Sequence, residues 1–558
     1  MDIIETVRDS VIGSEHVVPG PFGERRVTYA DYTASGRSLG FIEDYIRNTV
    51  MPLYANTHTE SSGTGLQTSR FREDARTIIR RCLNADDEHA VVFVGSGCTG
   101  AIDRIIRVLG LSIPRVLDDR YHLTDLIPEN ERPVIFIGPF EHHSNELPWR
   151  ESIADVVKIG EDRDGHIDQD QLKGELVRYA DRPLLIGSFS AASNVTGIIS
   201  DTHGIATLLH EHGALSFWDF AAAAPYVNID MSPTDEPGAY KDAIFISPHK
   251  LIGGPGTPGL LVARKELFTN EVPSVPGGGT VSFVRPDTHE YLADIEHREE
   301  GGTPAIIESV RAGLVFQLKE AVGTDRIRSL EEGFIERAIR SWQENPDVEI
   351  LGNPKAERLS IVSFVVKHDG EYLHHNYVVS LLNDLFGIQS RGGCSCAGPY
   401  GHALLGIDDA HSEEIADEVI LGCEGIKPGW IRVNFNYFIS EAVFDFIVEA
   451  VHLVSTHGWK LLPWYRFDVD TAGWKHVDGA SKAPFSLEDI DYSNGTLESD
   501  VSPSVASDHE LSTYLDKARE LFETIDPATG PIAGPIDSTA SFEDLRWFLL
   551  PDEIRSSD

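Results

Sequence analysis

The chain has 558 residues, with 89 acidic against 47 basic side chains and a formal net charge of −42. That length exceeds one ordinary domain of roughly 150 residues, and a hydrophobic content of 41% supplies a sizeable core. The acidic excess is spread along the chain, which excludes the basic face of a nucleic-acid binder and points to a surface suited to high salt, where a Debye length of roughly 3 Å at 1 M screens self-repulsion.

No run of about 18 apolar residues is present, so neither a transmembrane helix nor a membrane partner is expected. The first twenty residues carry Asp2, Glu5 and Asp9 and lack the apolar centre of a signal peptide, so a cytoplasmic location is expected. Cys82, Cys98, Cys394, Cys396 and Cys423 do not form a disulfide framework in such a chain. The Cys394-Ser-Cys396 pair lacks the second ligand pair of a zinc site, so no metal centre is expected.

In chain order, an N-terminal helix and a strand at 26–29 lead to the small-residue turn 31–36. A helix at 41–50 follows, then a polar loop at 56–63 containing His58, and a helix at 69–83. The apolar run 90–94 predicts a buried strand. It ends in Gly95-Ser-Gly-Cys-Thr-Gly100, and a helix at 101–109 follows. Strand, glycine-rich turn and helix N-terminus form a phosphate cradle, because free N–H groups and the helix dipole face the anion. No Gly-Lys-Ser/Thr follows, so it is not a P-loop.

Strands are predicted at 133–137, 184–188, 214–219, 243–246 and 259–263, with a helix at 202–212. The strand at 133–137 leads to Glu141-His-His-Ser-Asn145, where a histidine suits either a metal or stacking on a flat cofactor; no further ligand spacing supports the metal. The strand at 214–219 ends in Asp219. This alternation predicts a mostly parallel sheet wrapped by helices, with the functional candidates at the strand C-terminal ends.

A long helix at 303–320 is expected to cross into a smaller domain. That domain holds strands at 359–366 and 430–435 and helices at 377–385 and 441–454. The tail from 460 is first aromatic, then acidic and Ser/Pro-rich. Helices are expected there at 508–525, with a Ser507…Glu510 capping box, and at 541–550. The expected domains are an N-terminal segment 1–30 packing with the small domain, a large domain 31–305, a small domain 306–458 and an extension 459–558.

The strand at 243–246 ends in Ser247-Pro-His-Lys250, followed by the glycine-rich turn 253–256. By itself this stretch leaves two readings. Lys250 is either a snorkelling surface lysine or a buried amine nucleophile able to form a Schiff base with pyridoxal phosphate (PLP).

A strand-end lysine, an upstream strand-end aspartate, a phosphate-type turn and a histidine loop together resemble the class V aminotransferase family of fold-type I PLP enzymes. The likeness covers roughly residues 25–455 and is nearest to the group II cysteine desulfurase and selenocysteine lyase branch. It implies an α/β fold: a large PLP-binding domain, a smaller α+β domain and, in this chain, a C-terminal extension.

The resemblance gives Lys250 as the Schiff-base lysine, and Ser247, His249, Gly97, Cys98 and Thr99 as phosphate ligands. Asp219 pairs with the pyridinium nitrogen, His142 stacks on the ring, and Asn194 contacts its O3′ side. Gly302-Thr303-Pro304 resembles the segment that reaches the neighbouring subunit's phosphate, implying a homodimer. Arg432 matches the arginine that holds the carboxylate of a small amino-acid substrate, and His58 lies near that substrate. The loop Ser390-Arg-Gly-Gly-Cys-Ser-Cys-Ala-Gly-Pro399 resembles the group II Arg-x-Gly-x-x-Cys-Ala pattern. Cys396 there is the cysteine that takes sulfur as a persulfide, with a sulfur-acceptor protein as partner.

The chain also departs from the pattern. Asp219-Phe-Ala-Ala222 lacks the usual Gln or His after the aspartate, and Cys394-Ser395 replaces a histidine pair. About twenty extra residues precede Arg432, and the last hundred have no counterpart. Two other readings stay open: an aminotransferase or epimerase that does not use Cys396, and a non-catalytic PLP-fold partner in sulfur trafficking.

Overall fold

The computed structural model describes residues 2–57, 59–479, 485–493, 495, 504–531, 539 and 541–555. The chain divides into two units: Met1–Ile12, Tyr32–Glu332 and Lys355–Leu359 form the first, and Gly13–Asp31, Gly333–Pro354 and Ser360–Asp558 the second.

In the first unit the short apolar runs pair into one seven-stranded sheet. Its strands are β1 (His89–Val94), β2 (Val134–Ile137), β3 (Asp155–Lys158), β4 (Leu185–Ser190), β5 (Leu215–Asp219), β6 (Ala243–Ile246) and β7 (Gly259–Arg264), in the order β1-β7-β6-β5-β4-β2-β3. The pairs among β2, β3, β4, β5 and β6 are parallel, and β7 runs antiparallel to both β1 and β6. Strands covered on both faces need apolar side chains at every position, which is why they read as continuous Val/Ile/Phe runs. Edge strand β3 is only half-buried and carries no such run in the sequence. Register places Asp219 opposite Ser190 on one side and Phe245 on the other.

Helix Ile306–Val322 belongs to this unit, not to a small domain beginning at 306. It lies against helix Gly63–Cys82 so closely that a Cβ on Gly313 would sit 2.7 Å from the Ala75 Cβ. A second helix, Thr324–Gln343, contains the division between the units. Helix Ile3–Asp9 also belongs to the first unit, capped by Asp2 in a capping box with Glu5; only 13–31 of the expected N-terminal segment goes with the second.

The second unit is built on an antiparallel sheet in the order Val348–Ile350, Ile361–His368, Trp430–Asn434, Arg391–Gly393, with Glu371–Leu373 also paired to Ile361–His368. Helices His375–Phe386 and Glu441–His457 add Leu381, Leu382, Ile447 and Val451 to its core. The expected separate extension is part of this same core, which also contains Tyr465, Trp474, Leu511, Tyr514, Phe522, Phe542 and Phe548. Helix Glu510–Thr524 starts after His509 with no side-chain cap, so the expected Ser507 capping box does not form. The single helix expected at 541–550 is instead two, Phe542–Leu545 and Pro551–Arg555.

Candidate active site

Several residues singled out by the resemblance stand at the C-terminal ends of β1, β5 and β6. After β1, helix Gly97–Val108 opens without a side-chain cap from Ser96. Gly97 sits at φ +54°, and a Cβ there would lie 2.6 Å from Ser247 Oγ and 3.8 Å from His249 Nε2. Only glycine meets both constraints. The Cys98 N–H donates to Ser247 Oγ at 2.8 Å, and Gly259 N–H donates to Gly95 O at 3.0 Å, tying the turn to β7. Thr99, exposed at the helix N-terminus, shares a 2.7 Å hydrogen bond with Ser144 Oγ. Gly97, Cys98, Thr99, Ser247 and His249 thus form one polar cradle at a helix N-terminus, a donor set suited to a phosphate.

His249 is half-buried, with Nδ1 3.3 Å from Ser35 Oγ. Burial, then the neighbouring Lys250 cation, pushes its imidazole down to about 4, so it is neutral near pH 7. Lys250 ends the short turn Pro248–Lys250, where its N–H donates to Ser247 O at 3.0 Å. Its charge acts on Asp219, Cys98 and His249 alike.

Asp219 is buried at the end of β5 and accepts the Ala221 N–H at 2.7 Å. Burial raises its carboxyl above the usual aspartate range, opposed by that hydrogen bond and by Lys250. A buried carboxylate in this state is stabilised by a cationic N–H, which fits a pyridinium. The Cys98 thiol beside it is fully buried and pushed well up, first by burial and then by Asp219; it is an unreactive filler.

Below the histidine loop lies a network not apparent in the sequence. Glu141 accepts from Ser190 N at 2.9 Å, Ser190 Oγ at 2.7 Å, Asn145 Nδ2 at 2.6 Å and Gly138 N at 3.2 Å. Trp149 Nε1 donates to Asn145 Oδ1 at 3.2 Å. Burial pushes Glu141 up to about 7. The following residue, His142, accepts the Ser144 N–H on Nδ1 at 3.1 Å, which leaves the ring proton on Nε2. His142 therefore stands on a rigid, satisfied base.

Asn194 is buried in a turn whose Ser193 Oγ accepts from Val195 N and Thr196 N, each at 3.1 Å. Thr303 is exposed after Gly302, whose N–H bonds Gly278 O at 2.8 Å; it is not part of the cradle's hydrogen-bond set. His58 lies outside the described residues.

In the second unit, Arg391 and Arg432 are register partners on adjacent strands. Both donate to Asp31, Arg391 Nε to Oδ2 at 2.9 Å and Arg432 Nη2 to Oδ1 at 2.8 Å. Asp31 was legible in the sequence only as a turn residue. After Arg391–Gly393 the chain folds into a tight turn, with Ala397 N–H donating to Cys394 O at 3.0 Å. Ser395 and Cys396 occupy its centre at φ +51° and +57°. Cys394 is half-buried and Cys396 exposed. Behind Gly392 and Gly429 the His375 ring packs so closely that a Cβ on either glycine would touch it at 3.1 Å and 2.9 Å. Among the described residues no group of three or more His, Cys, Asp or Glu side chains could hold a metal, and no helix is long and apolar enough to cross a membrane.

The sequence pattern of the family described as aminotransferase class-V matches residues 28–408. The chain belongs to the class-V aminotransferase family. Class-V aminotransferase relatives are PLP-dependent enzymes, and so is this one by its family. A probable cysteine desulfurase of Halobacterium salinarum is 28% identical over 408 residues, covering 72% of this chain and 90% of that protein. One of Staphylococcus aureus is 27% identical over 406 residues, covering 71% and 88%. Among solved structures, a cysteine desulfurase from Thermococcus onnurineus aligns with TM-score 0.64 at 21% identity, covering 82% of this chain and 99% of that one. One from Escherichia coli gives 0.58 at 22%, covering 76% and 93%. These likenesses establish the fold-type I architecture: a large, mostly parallel sheet flanked by helices. Residues beyond 408, including the extension, fall outside the family pattern.

Proposed function

We propose that this chain is a PLP-dependent cysteine desulfurase or selenocysteine lyase, in which Cys396 takes sulfur from a small amino-acid substrate. The observation that carries the reading is the convergence of Gly97, Ser247, His249, Lys250 and Asp219 at one end of the sheet, in a chain that also presents Cys396 on an exposed turn.

When bound, PLP supplies an electron sink conjugated to the substrate α-carbon. The Gly97–Thr99 amides and hydroxyl, with Ser247 and His249, hold its phosphate. Asp219 would keep a proton on the ring nitrogen, and His142 and Asn194 would help to hold the ring. Lys250 anchors the group, and its amine moves the proton at the substrate α-carbon. Arg432 would hold the substrate carboxylate, oriented by Asp31. The Cys396 thiolate attacks the substrate sulfur, so cysteine and a thiol become alanine and a persulfide. Thr303 serves the neighbouring subunit's phosphate in a homodimer. Phe41, Tyr45, Met51 and Tyr54, all exposed on the first unit, supply apolar surface for that association. A sulfur-acceptor protein then receives the sulfur, in a cytoplasm of high salt.

A second reading keeps the cofactor and leaves Cys396 idle, as in an aminotransferase or epimerase; the Cys394-Ser395 pair, standing where the pattern has two histidines just before Cys396, favours it. The test is purification with PLP in high salt, followed by L-cysteine. Cys396→Ala is expected to abolish alanine and sulfide formation while the cofactor absorbance persists. Lys250→Ala is expected to lose both. Full turnover in Cys396→Ala establishes the second reading. A colourless wild-type protein leaves only a non-catalytic partner in sulfur trafficking.

A further inference from the structure

The five cysteines fall into two classes. Burial raises the Cys82 thiol to about 11, Cys423 likewise to about 11, and Cys98 further. Those three are poor nucleophiles. Cys394, half-buried, and Cys396, exposed, instead share one turn, closed by the Ala397 N–H to Cys394 O bond at 3.0 Å. Two consecutive non-glycine residues with positive φ, Ser395 at +51° and Cys396 at +57°, give the backbone signs of a type I′ turn.

That geometry fixes the reach between the two thiols. Two trans peptide steps of about 3.8 Å, folded through a β-turn, leave the first and third Cα atoms about 5.5 Å apart. One S–S bond spans Cα separations of roughly 4.4–6.8 Å. The spacing suits a direct bond between the two sulfurs and is short for a bridge of three.

Resting on the desulfurase reading above, we propose that Cys394 is a resolving thiol for Cys396. Once Cys396 carries a sulfane sulfur, the Cys394 thiolate attacks Cys396 Sγ. The Cys394–Cys396 bond forms and the bond from Cys396 Sγ to the outer sulfur breaks. The electron pair leaves with the outer sulfur as hydrosulfide. The outer sulfur is reduced to hydrosulfide and the Cys394 sulfur is oxidised, while Cys396 Sγ keeps its oxidation level and exchanges one S–S partner for another. A dithiol reductant then restores both thiols for the next turnover. The chain thereby has its own route of hydrosulfide release beside transfer to an acceptor protein.

The test uses the full-length holoenzyme with one equivalent of L-cysteine per active site and no reductant. Alanine and hydrosulfide are measured, and the alkylated peptide spanning Arg391–Tyr400 is weighed. Wild type is expected to yield alanine and hydrosulfide together, with a peptide two hydrogens lighter and closed to alkylation. Cys394→Ser is expected to yield the same alanine, at least about tenfold less hydrosulfide, and an extra sulfur atom retained on Cys396. Cys394→Ala reproduces this if the serine hydroxyl is not involved. A wild-type peptide with Cys394 alkylated and the extra sulfur on Cys396 overturns the proposal while leaving the desulfurase reading intact. Absence of alanine in every variant overturns the desulfurase reading, and the resolving role with it.

Discussion

Gly97 has no side chain, yet two independent constraints act on it. Its φ of +54° is strained for any residue with a Cβ, and that Cβ would lie 2.6 Å from Ser247 Oγ, the acceptor of the Cys98 N–H. Gly97→Ala is expected to cost about 1–3 kcal/mol in backbone strain and to weaken PLP binding at least about tenfold by displacing the cradle. Titration of the cofactor absorbance checks this; unchanged affinity places the phosphate elsewhere. His375 makes a pH prediction. Burial alone holds its imidazole down to about 3 from an ordinary 6.5, and the adjacent His374 is shifted the same way. Below pH 6.5 the unfolded chain takes up a proton that the native one refuses. Stability is therefore full above about 6.5 and is lost as pH falls towards 3, at up to about 1.4 kcal/mol per unit from His375. Unfolding free energies from urea denaturation at pH 6.5 and 5 are expected to differ by about 2 kcal/mol more in wild type than in His375→Gln.

At the scale of elements, the extension shows where local reading ends. The helix at 508–525 was legible because Leu511, Tyr514, Ala518 and Phe522 recur on one helical face, and all four are buried. The second tail helix was not. Residues between Phe542–Leu545 and Pro551–Arg555 run extended beside Tyr372, with Leu549 N–H donating to Tyr372 O at 2.9 Å and Phe548 bridged to Tyr372. Phe548 is 2% exposed and meets His374, Phe467, Trp474 and Phe542. Trp547 lies parallel to His375 at 5.8 Å, and the His375 ring packs against Gly392 in the strand that leads to Cys394. The extension thus completes the core behind the cysteine turn. Phe548→Ala is expected to cost about 3–5 kcal/mol, read from denaturation of the second unit by tryptophan fluorescence. A cost below about 1 kcal/mol makes the extension an appendage.

For the whole molecule, the net charge of −42 sets the dependence on solvent. Many acidic groups are paired with arginine, as in Arg81–Glu320 at 2.6 Å and Arg519–Glu449 at 2.7 Å, but the excess remains unneutralised. Raising KCl from about 0.1 M to about 2 M is expected to raise the thermal midpoint by several degrees, because self-repulsion is screened within about 3 Å. A midpoint that is flat or falls with salt rejects the high-salt reading of the composition.

The sequence by itself determined the class of fold and most of the cradle. Strands buried on both faces appear as continuous apolar runs, and phosphate turns and strand-end acids are local signals, so β1, β2, β4, β5, β6 and β7, Gly97–Thr99, Asp219 and Ser247–Lys250 could be read in order. Half-buried β3 carries no such run and could not. Only the tertiary structure joined Asp31 to Arg391 and Arg432, 360 and 401 residues away, and set Glu141 under Ser190, 49 residues on. It also drew the extension into the second core and folded Cys394 and Cys396 into one turn. The reason is physical: periodicity reports which face of an element is buried, whereas the partner of a buried charge or thiol is chosen by distances that no local pattern encodes.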